Sequence, residues 1–380
     1  MRNVFTFLFC ALCSMAFAQR EQTLLFAGSY TNGQPDKGIH VFSIDSVSGK
    51  LRKLSHGEGL INPSFLKLSP DGRVLYAVTH SKLPSEGRVA AFAVDSLHGT
   101  LKLINDQPSG GRNPVYLAID PTAKWLVNAN YESGSLSVFP ILPDGSIGER
   151  VQLLALEGAS GIISERQQSP HPHAAVFTPD GRYLVVPDLG ADSLRIFRFD
   201  AQATDAPLQT TAFGVATTPG SGPRHFVFHP NGKFAYCVEE LSGTVCAYQY
   251  AEGRLDSLQR MEAYAQPHEQ YSGADLHFSP DGKYLYTSTR MDENSLVVFR
   301  VDSLTGLLEM VERVPSGGVH PRNFALDPSG SLLVAGNQVS GNLAVFRRDV
   351  ESGRLVLLHR GMKVREVSCV VMRNYQLRQP

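Results

Sequence analysis

The sequence predicts an all-β fold, a seven-bladed β-propeller, and three observations predict it. First, a short apolar strand runs into a Pro-centred turn and back into a second strand six times, at SFLKLSPDGRVLYAV, VYLAIDPTAKWLVNA, HAAVFTPDGRYLVVP, HFVFHPNGKFAYCV, DLHFSPDGKYLYTS and NFALDPSGSLLVAG. The turn prolines, Pro70, Pro121, Pro179, Pro230, Pro280 and Pro328, stand 51, 58, 51, 50 and 48 residues apart, and a period of that length marks a repeated supersecondary unit. Second, each unit continues through a polar loop into an alternating third strand (RVAAFAVD, SLSVFPI, SLRIFRFD, TVCAYQY, SLVVFRVD, NLAVFRR), a turn such as DSLTG or DVESG, and a fourth short strand. Four antiparallel strands bounded by Pro, Gly, Asn and Asp make one blade. Third, the chain ends complement each other. TLLFAGSY and GIHVFSID read as second and third strands lacking a first, and REVSCVVM reads as a first strand with nothing after it. Pairing residues about 366 to 372 with the strand beginning near Thr23 completes a seventh blade. The ring then closes without a free edge through its core sheets.

The regular spacing places residues 19–380 in one domain. The first 18 residues differ: Arg2 precedes an apolar stretch over residues 4–15, and Ala16-Phe17-Ala18 fits small-x-small cleavage. They read as a signal peptide cut after Ala18, so the chain is expected to be exported, periplasmic or secreted. The stretch is short for a membrane span, and no later segment approaches one. Cys10 and Cys13 fall inside the apolar leader. Cys237 and Cys246 face each other across one hairpin and are expected to be small apolar side chains, a disulfide being the alternative. A formal net charge of −1 leaves no electrostatic footprint for nucleic acid. Neither G-x-S-x-G, H-E-x-x-H nor G-x-x-x-x-G-K occurs, which argues against serine-hydrolase, zincin and nucleotide-hydrolysing chemistry.

In a propeller the loops before each first strand and after each second strand share one face, and the Pro-centred turns take the other, where their Asp residues are turn formers. On the shared face the first set reads LINPS, GRNPV, SPHPHA, SGPRH, YSGAD and VHPRN. The second contributes Tyr30, His80, Asn130 with Tyr131, Asp188, Glu239 with Glu240, Arg290 and Asn337. Blades four to six are the most ionisable, through His171, His173, Arg224, His225, Glu240 and Arg290. One imidazole, one carboxylate and two guanidinium groups at a channel mouth suit activation of water and stabilisation of an oxyanion. The competing readings are solvated loops for His225 and His320, and rim charges for Glu239 and Glu240. His171 and His173 have the alternate spacing of metal ligands on one strand face, but no third ligand stands at a recognisable interval. No metal and no cofactor are expected.

At these residues the chain resembles the seven-bladed propeller lactonase family, typified by the bacterial propeller-class 6-phosphogluconolactonase and related to the fungal carboxymuconate lactonizing enzymes. The resemblance spans the mature chain and is most specific in GSGPRHFVFHPNGKFAYCVEELSGTV (220–245), PDGKYLYTSTR (280–290) and VHPRNFALDPSG (319–330). It implies a catalytic set of His173, Glu240, Arg224 and Arg290. Asn62, Arg112, His320 and Arg322 hold equivalent rim positions and, with His171, are expected to bind substrate. The implied reaction is hydrolysis of a sugar (aldono-) lactone. Glu240 or His173 takes a proton from water, and the arginines hold the oxyanion. A signal peptide is at odds with a cytoplasmic phosphogluconolactone, so the exact lactone stays open. The alternatives are a muconate-type lactonizing enzyme and an exported binding propeller without catalysis. The expected partner is a small-molecule lactone, with the chain acting as a monomer.

Overall fold

The computed structural model describes residues 20–377; the expected signal peptide, residues 1–18, lies outside them. The described chain folds into seven four-stranded antiparallel sheets. Blade one joins both ends of the chain. Its innermost strand is Val367–Leu377, followed outward by Arg20–Ser29, Ile39–Ile44 and Leu51–Gly57. The closing ladder runs from Ser29 opposite Val367 to Arg20 opposite Leu377, so it covers the expected residues and continues past them. Blades two to seven follow in order as residues 65–112, 114–155, 176–216, 223–262, 273–315 and 321–359. Each blade contacts the next, and blade seven contacts the closing strand, which completes the ring.

Both faces of a blade meet neighbouring blades, and this explains why the second strands read as continuous apolar runs. Val74–Thr79, Trp125–Asn130, Phe234–Glu239, Tyr284–Thr289 and Leu332–Asn337 are buried at every position. The apolar side chains gather at the seams. Phe234, Tyr236 and Val238 of blade five, for example, pack with Leu276, Leu285 and Phe299 of blade six, each fully buried side chain contributing roughly 1.5–3 kcal/mol. Tyrosines tie adjacent blades together. The hydroxyls of Tyr76, Tyr236 and Tyr286 donate to the carbonyls of Gly145, Gly306 and Gly353 in the outer turn of the next blade, at 2.9, 2.8 and 2.7 Å.

The Pro-centred turns are built by their acids, as expected. Asp71, Asp180 and Asp281 each accept the N–H two residues on, at 3.1 Å. Blade four departs from the pattern: its inner strand is only Val176–Phe177. Pro170 and Pro172 precede it, and a proline has no N–H to give a ladder. The segment is instead held by the His173 N–H on the Pro187 carbonyl at 3.0 Å and by the His171 N–H on Asp188 Oδ1 at 2.7 Å. Cys237 stands directly opposite Cys246, and both are buried free thiols. Burial raises the Cys246 pKa to about 12, so the pair behaves as small apolar side chains.

Candidate active site

Three backbone positions on the shared face deliver the central cluster. Arg224 lies in the first strand of blade five, Pro223–Phe228. Glu240 follows the second strand of the same blade and is fixed by its N–H on the Gly222 carbonyl at 2.7 Å. Arg290 holds the matching place in blade six, its N–H on the Ser272 carbonyl at 3.0 Å. Glu240 Oε2 sits 2.8 Å from Arg224 Nε and 3.0 Å from Arg290 Nη2. Glu240 Oε1 receives Arg166 Nη2 at 2.6 Å. Backbone carbonyls complete the fixation: Arg224 Nη1 donates to Ala274, and Arg290 Nη2 to Gly273 at 2.9 Å. The Arg224 and Arg290 side chains are 2% and 4% exposed, whereas that of Arg166 is 40% exposed.

The charges do not balance, and the pKa directions follow from that. Burial alone would raise the Glu240 carboxyl, but Arg290, Arg224 and Arg166 outweigh it and hold the group well below the usual carboxylate range. Burial, then Arg290 and Arg322, bring Arg224 down to about 9, which still leaves it cationic at neutral pH. His173 is buried beside the cluster. Burial, then Arg224 and His225, lower its pKa well below 6.5, so it is a neutral imidazole. Its Nδ1 is buried without a hydrogen-bond partner. Tyr131 and His225 flank its ring edge-on, with centroids 5.4 and 5.3 Å away.

The expected substrate-binding residues separate into two groups. His171 stacks on Tyr131 at 4.4 Å, and Arg166 Nη2 reaches the Tyr131 hydroxyl at 3.4 Å, so both belong to the cluster's rim. His320 Nε2 lies 3.4 Å from Arg290 Nη1, and burial, then Arg290 and Arg322, take its pKa to about 3. Arg322 stacks over Tyr30 at 5.7 Å, close enough for its charge to act on Arg224, Arg290 and His173. Asn62 and Arg112 make no direct contact with the cluster. Asn62 accepts the N–H groups of Thr31 and Gly33 at 2.7 and 3.1 Å and donates to the Ser81 carbonyl at 2.7 Å, so its amide is consumed in tying loops together. Arg112 is exposed at the end of Thr100–Arg112.

The seven-bladed β-propeller lactonase sequence model matches residues 24–372. The chain belongs to the seven-bladed propeller lactonase family. It is 43% identical over 352 residues to a Formosa agariphila protein named 6-phosphogluconolactonase, covering 92% of this chain and 99% of that one. A Bacillus subtilis protein of the same name is 36% identical, with 91% and 97% covered. The solved structure of the periplasmic gluconolactonase of Pseudomonas aeruginosa superposes with a TM-score of 0.87 at 35% identity, over 93% of this chain and 99% of that one.

Two residues beside the cluster were not singled out in the sequence reading. Arg166 rides on the loop before blade four, where the 58-residue interval between turn prolines marks an insertion. Its neighbour Gln167 is fully buried and donates to the Leu189 carbonyl at 2.8 Å and to Asp192 Oδ1 at 2.7 Å. Asp192 also accepts the N–H groups of Gly220 and Gly222 at 2.6 and 2.8 Å, so one carboxylate locks the Arg166 loop to the Arg224 loop. Asp275 is the second. It heads the inner strand of blade six as His225 heads that of blade five. Its carboxylate bonds His225 Nδ1 at 2.7 Å, His277 Nε2 at 2.8 Å and Asn323 Nδ2 at 2.5 Å. Burial, then Arg224, nevertheless lowers His225 to about 4. Phe65, Tyr116 and His225 continue this layer, with Phe65–Tyr116 centroids 4.4 Å and Tyr116–His225 centroids 5.4 Å apart, below the cluster.

Proposed function

We propose that the chain is an exported lactonase that hydrolyses a sugar (aldono-) lactone, with His173, Arg224, Glu240 and Arg290 at the reacting centre. The observation that carries this reading is a buried excess of positive charge beside a neutral imidazole. One carboxylate, Glu240, faces three guanidinium groups directly. Such a site favours a ligand that is anionic or becomes so in the transition state. The names of the relatives support a gluconate-type lactone, and the leader-like residues 1–18 support export.

Three of the lone-pair directions of Glu240 are taken by Arg166, Arg224 and Arg290, whereas His173 Nδ1 is buried without a partner. His173 is neutral and carries no proton that must first be lost. His173 therefore removes a proton from water as that water adds to the lactone carbonyl carbon, and Arg224 and Arg290 stabilise the oxyanion. Collapse of the tetrahedral adduct breaks the ring C–O bond. The leaving alkoxide takes the proton back from the imidazolium, releasing a hydroxy acid. Glu240 fixes the arginines, and the half-open Arg166 reaches toward a carboxylate or phosphate at the rim. The test is a pH-stat assay of purified residues 19–380 with glucono-1,5-lactone and with its 6-phosphate. Acid release above the spontaneous rate on either supports the reading and identifies the preferred substrate. No release on any aldono-lactone transfers the case to a binding propeller.

A further inference from the structure

The opposite mouth of the channel carries charge that the reaction does not use. A cavity of about 620 Å³ opens on the face of the Pro-centred turns, lined in part by Lys67, Arg373, Tyr116, Phe177, Pro121 and Pro179. None of the four residues of the reacting centre lines it. Lys67 is on the inner strand of blade two, Phe65–Leu68, and Arg373 is on the closing strand of blade one. Lys67 is exposed to the open cavity, and among the described residues no carboxylate pairs with it. The one acid in the lining, Asp120, is committed to its own turn. Its Oδ1 accepts the N–H groups of Lys124 and Trp125 at 2.8 and 2.7 Å, and its Oδ2 accepts Thr122 N–H at 2.9 Å.

Two cations without a carboxylate partner give this mouth a positive field that draws in an anion. The walls add a second constraint, because aromatic rings and prolines suit an apolar body. We propose that this lower mouth is a second binding site, for a small organic carboxylate whose anionic end pairs with Lys67 and Arg373 and whose apolar body lies against Tyr116, Phe177, Pro121 and Pro179. The site is separate from the reacting centre. Tyr116 meets His225 at 5.4 Å and His225 meets His173 at 5.3 Å, so two rings stand between the cavity and the upper imidazole.

Isothermal titration calorimetry of the full mature chain with benzoate as probe, and benzyl alcohol as its neutral counterpart, tests the site. Saturable benzoate binding is expected to weaken by about tenfold or more in Lys67→Met. It should survive in Lys67→Arg and be untouched by Arg166→Gln in the upper cluster. Benzyl alcohol should bind far more weakly. If circular dichroism shows Lys67→Met unfolded, Arg373→Gln carries the same expectation. Benzoate binding that falls with Arg166→Gln and ignores Lys67→Met or Arg373→Gln overturns the proposal by placing the anion in the upper site. Equal binding of benzyl alcohol, or no saturable benzoate binding at millimolar concentration, overturns it as well. None of these outcomes depends on the lactonase reaction.

Discussion

Replacing Glu240 by Gln preserves shape but removes the carboxylate that faces three guanidinium groups. Arg224 and Arg290 are 2% and 4% exposed, so neither can turn to water when the charge is lost. Breaking a buried pair by removing one partner costs about 3–5 kcal/mol. The Arg166 pair adds at most about 1 kcal/mol, because its guanidinium is 40% exposed and screened. Glu240→Gln should therefore destabilise the fold by about 3–5 kcal/mol at pH 7. Urea unfolding followed by circular dichroism and by the fluorescence of Trp125, the single tryptophan, measures it. The pH dependence gives a second reading. The folded pKa of Glu240 lies well below its ordinary value of 4.5. Its contribution is therefore complete above about 4.5 and is lost as pH falls toward the folded value. The gap between wild type and Glu240→Gln should narrow as the solution is acidified below pH 4.5. Equal urea midpoints at pH 7 would refute the argument that this carboxylate holds the arginines in place.

Histidines act in the same direction at a higher pH. His225 falls from 6.5 to about 4 and His173 well below 6.5, so the unfolded chain binds more protons than the folded one just below pH 6.5. Stability should be full above pH 6.5 and decline on acidification toward pH 5, by about 2 kcal/mol for His225 alone, and calorimetric melting across that range checks it. For the same reason kcat/KM should stay level from pH 8 to pH 6.5 and fall only at more acidic pH, where His173 becomes protonated; a bell centred on an ordinary histidine pKa of 6.5 would contradict it. Truncation after Gly361 removes the inner strand Val367–Leu377 and exposes the seam of Leu25, Phe42, Val334 and Val345. The truncated chain should fail to fold or melt far below the full chain, and an unchanged melting temperature would exclude closure by that strand.

What the sequence made legible follows from the repeat. A propeller converts a period in sequence into an angle around a ring, so Glu240 and Arg290 converge because they occupy matching columns of adjacent blades, and Arg224 joins them from the first strand of Glu240's own blade. The closing strand was visible because each end lacked what the other supplied. Arg166 was not, because it sits on the one insertion that breaks the period, and its place is set by Gln167 and Asp192 rather than by a strand. The sequence could not show that the Asn62 amide is taken up by loop hydrogen bonds. A polar side chain near a mouth has the same letter whether it faces substrate or, as here, saturates the backbone of Thr31, Gly33 and Ser81. The balance between Glu240 and His173 as base was likewise beyond sequence, since it depends on how many guanidinium groups reach the carboxylate in space.

The central claim is that a neutral His173, backed by arginines held on Glu240, hydrolyses a lactone. It is tested most directly by the steady-state rate of His173→Asn on whichever aldono-lactone the wild type consumes, corrected for spontaneous opening. The account predicts that kcat falls by about 10²–10⁴-fold with KM little changed and with an unaltered melting temperature. A His173→Asn protein that turns over at the wild-type rate would contradict it.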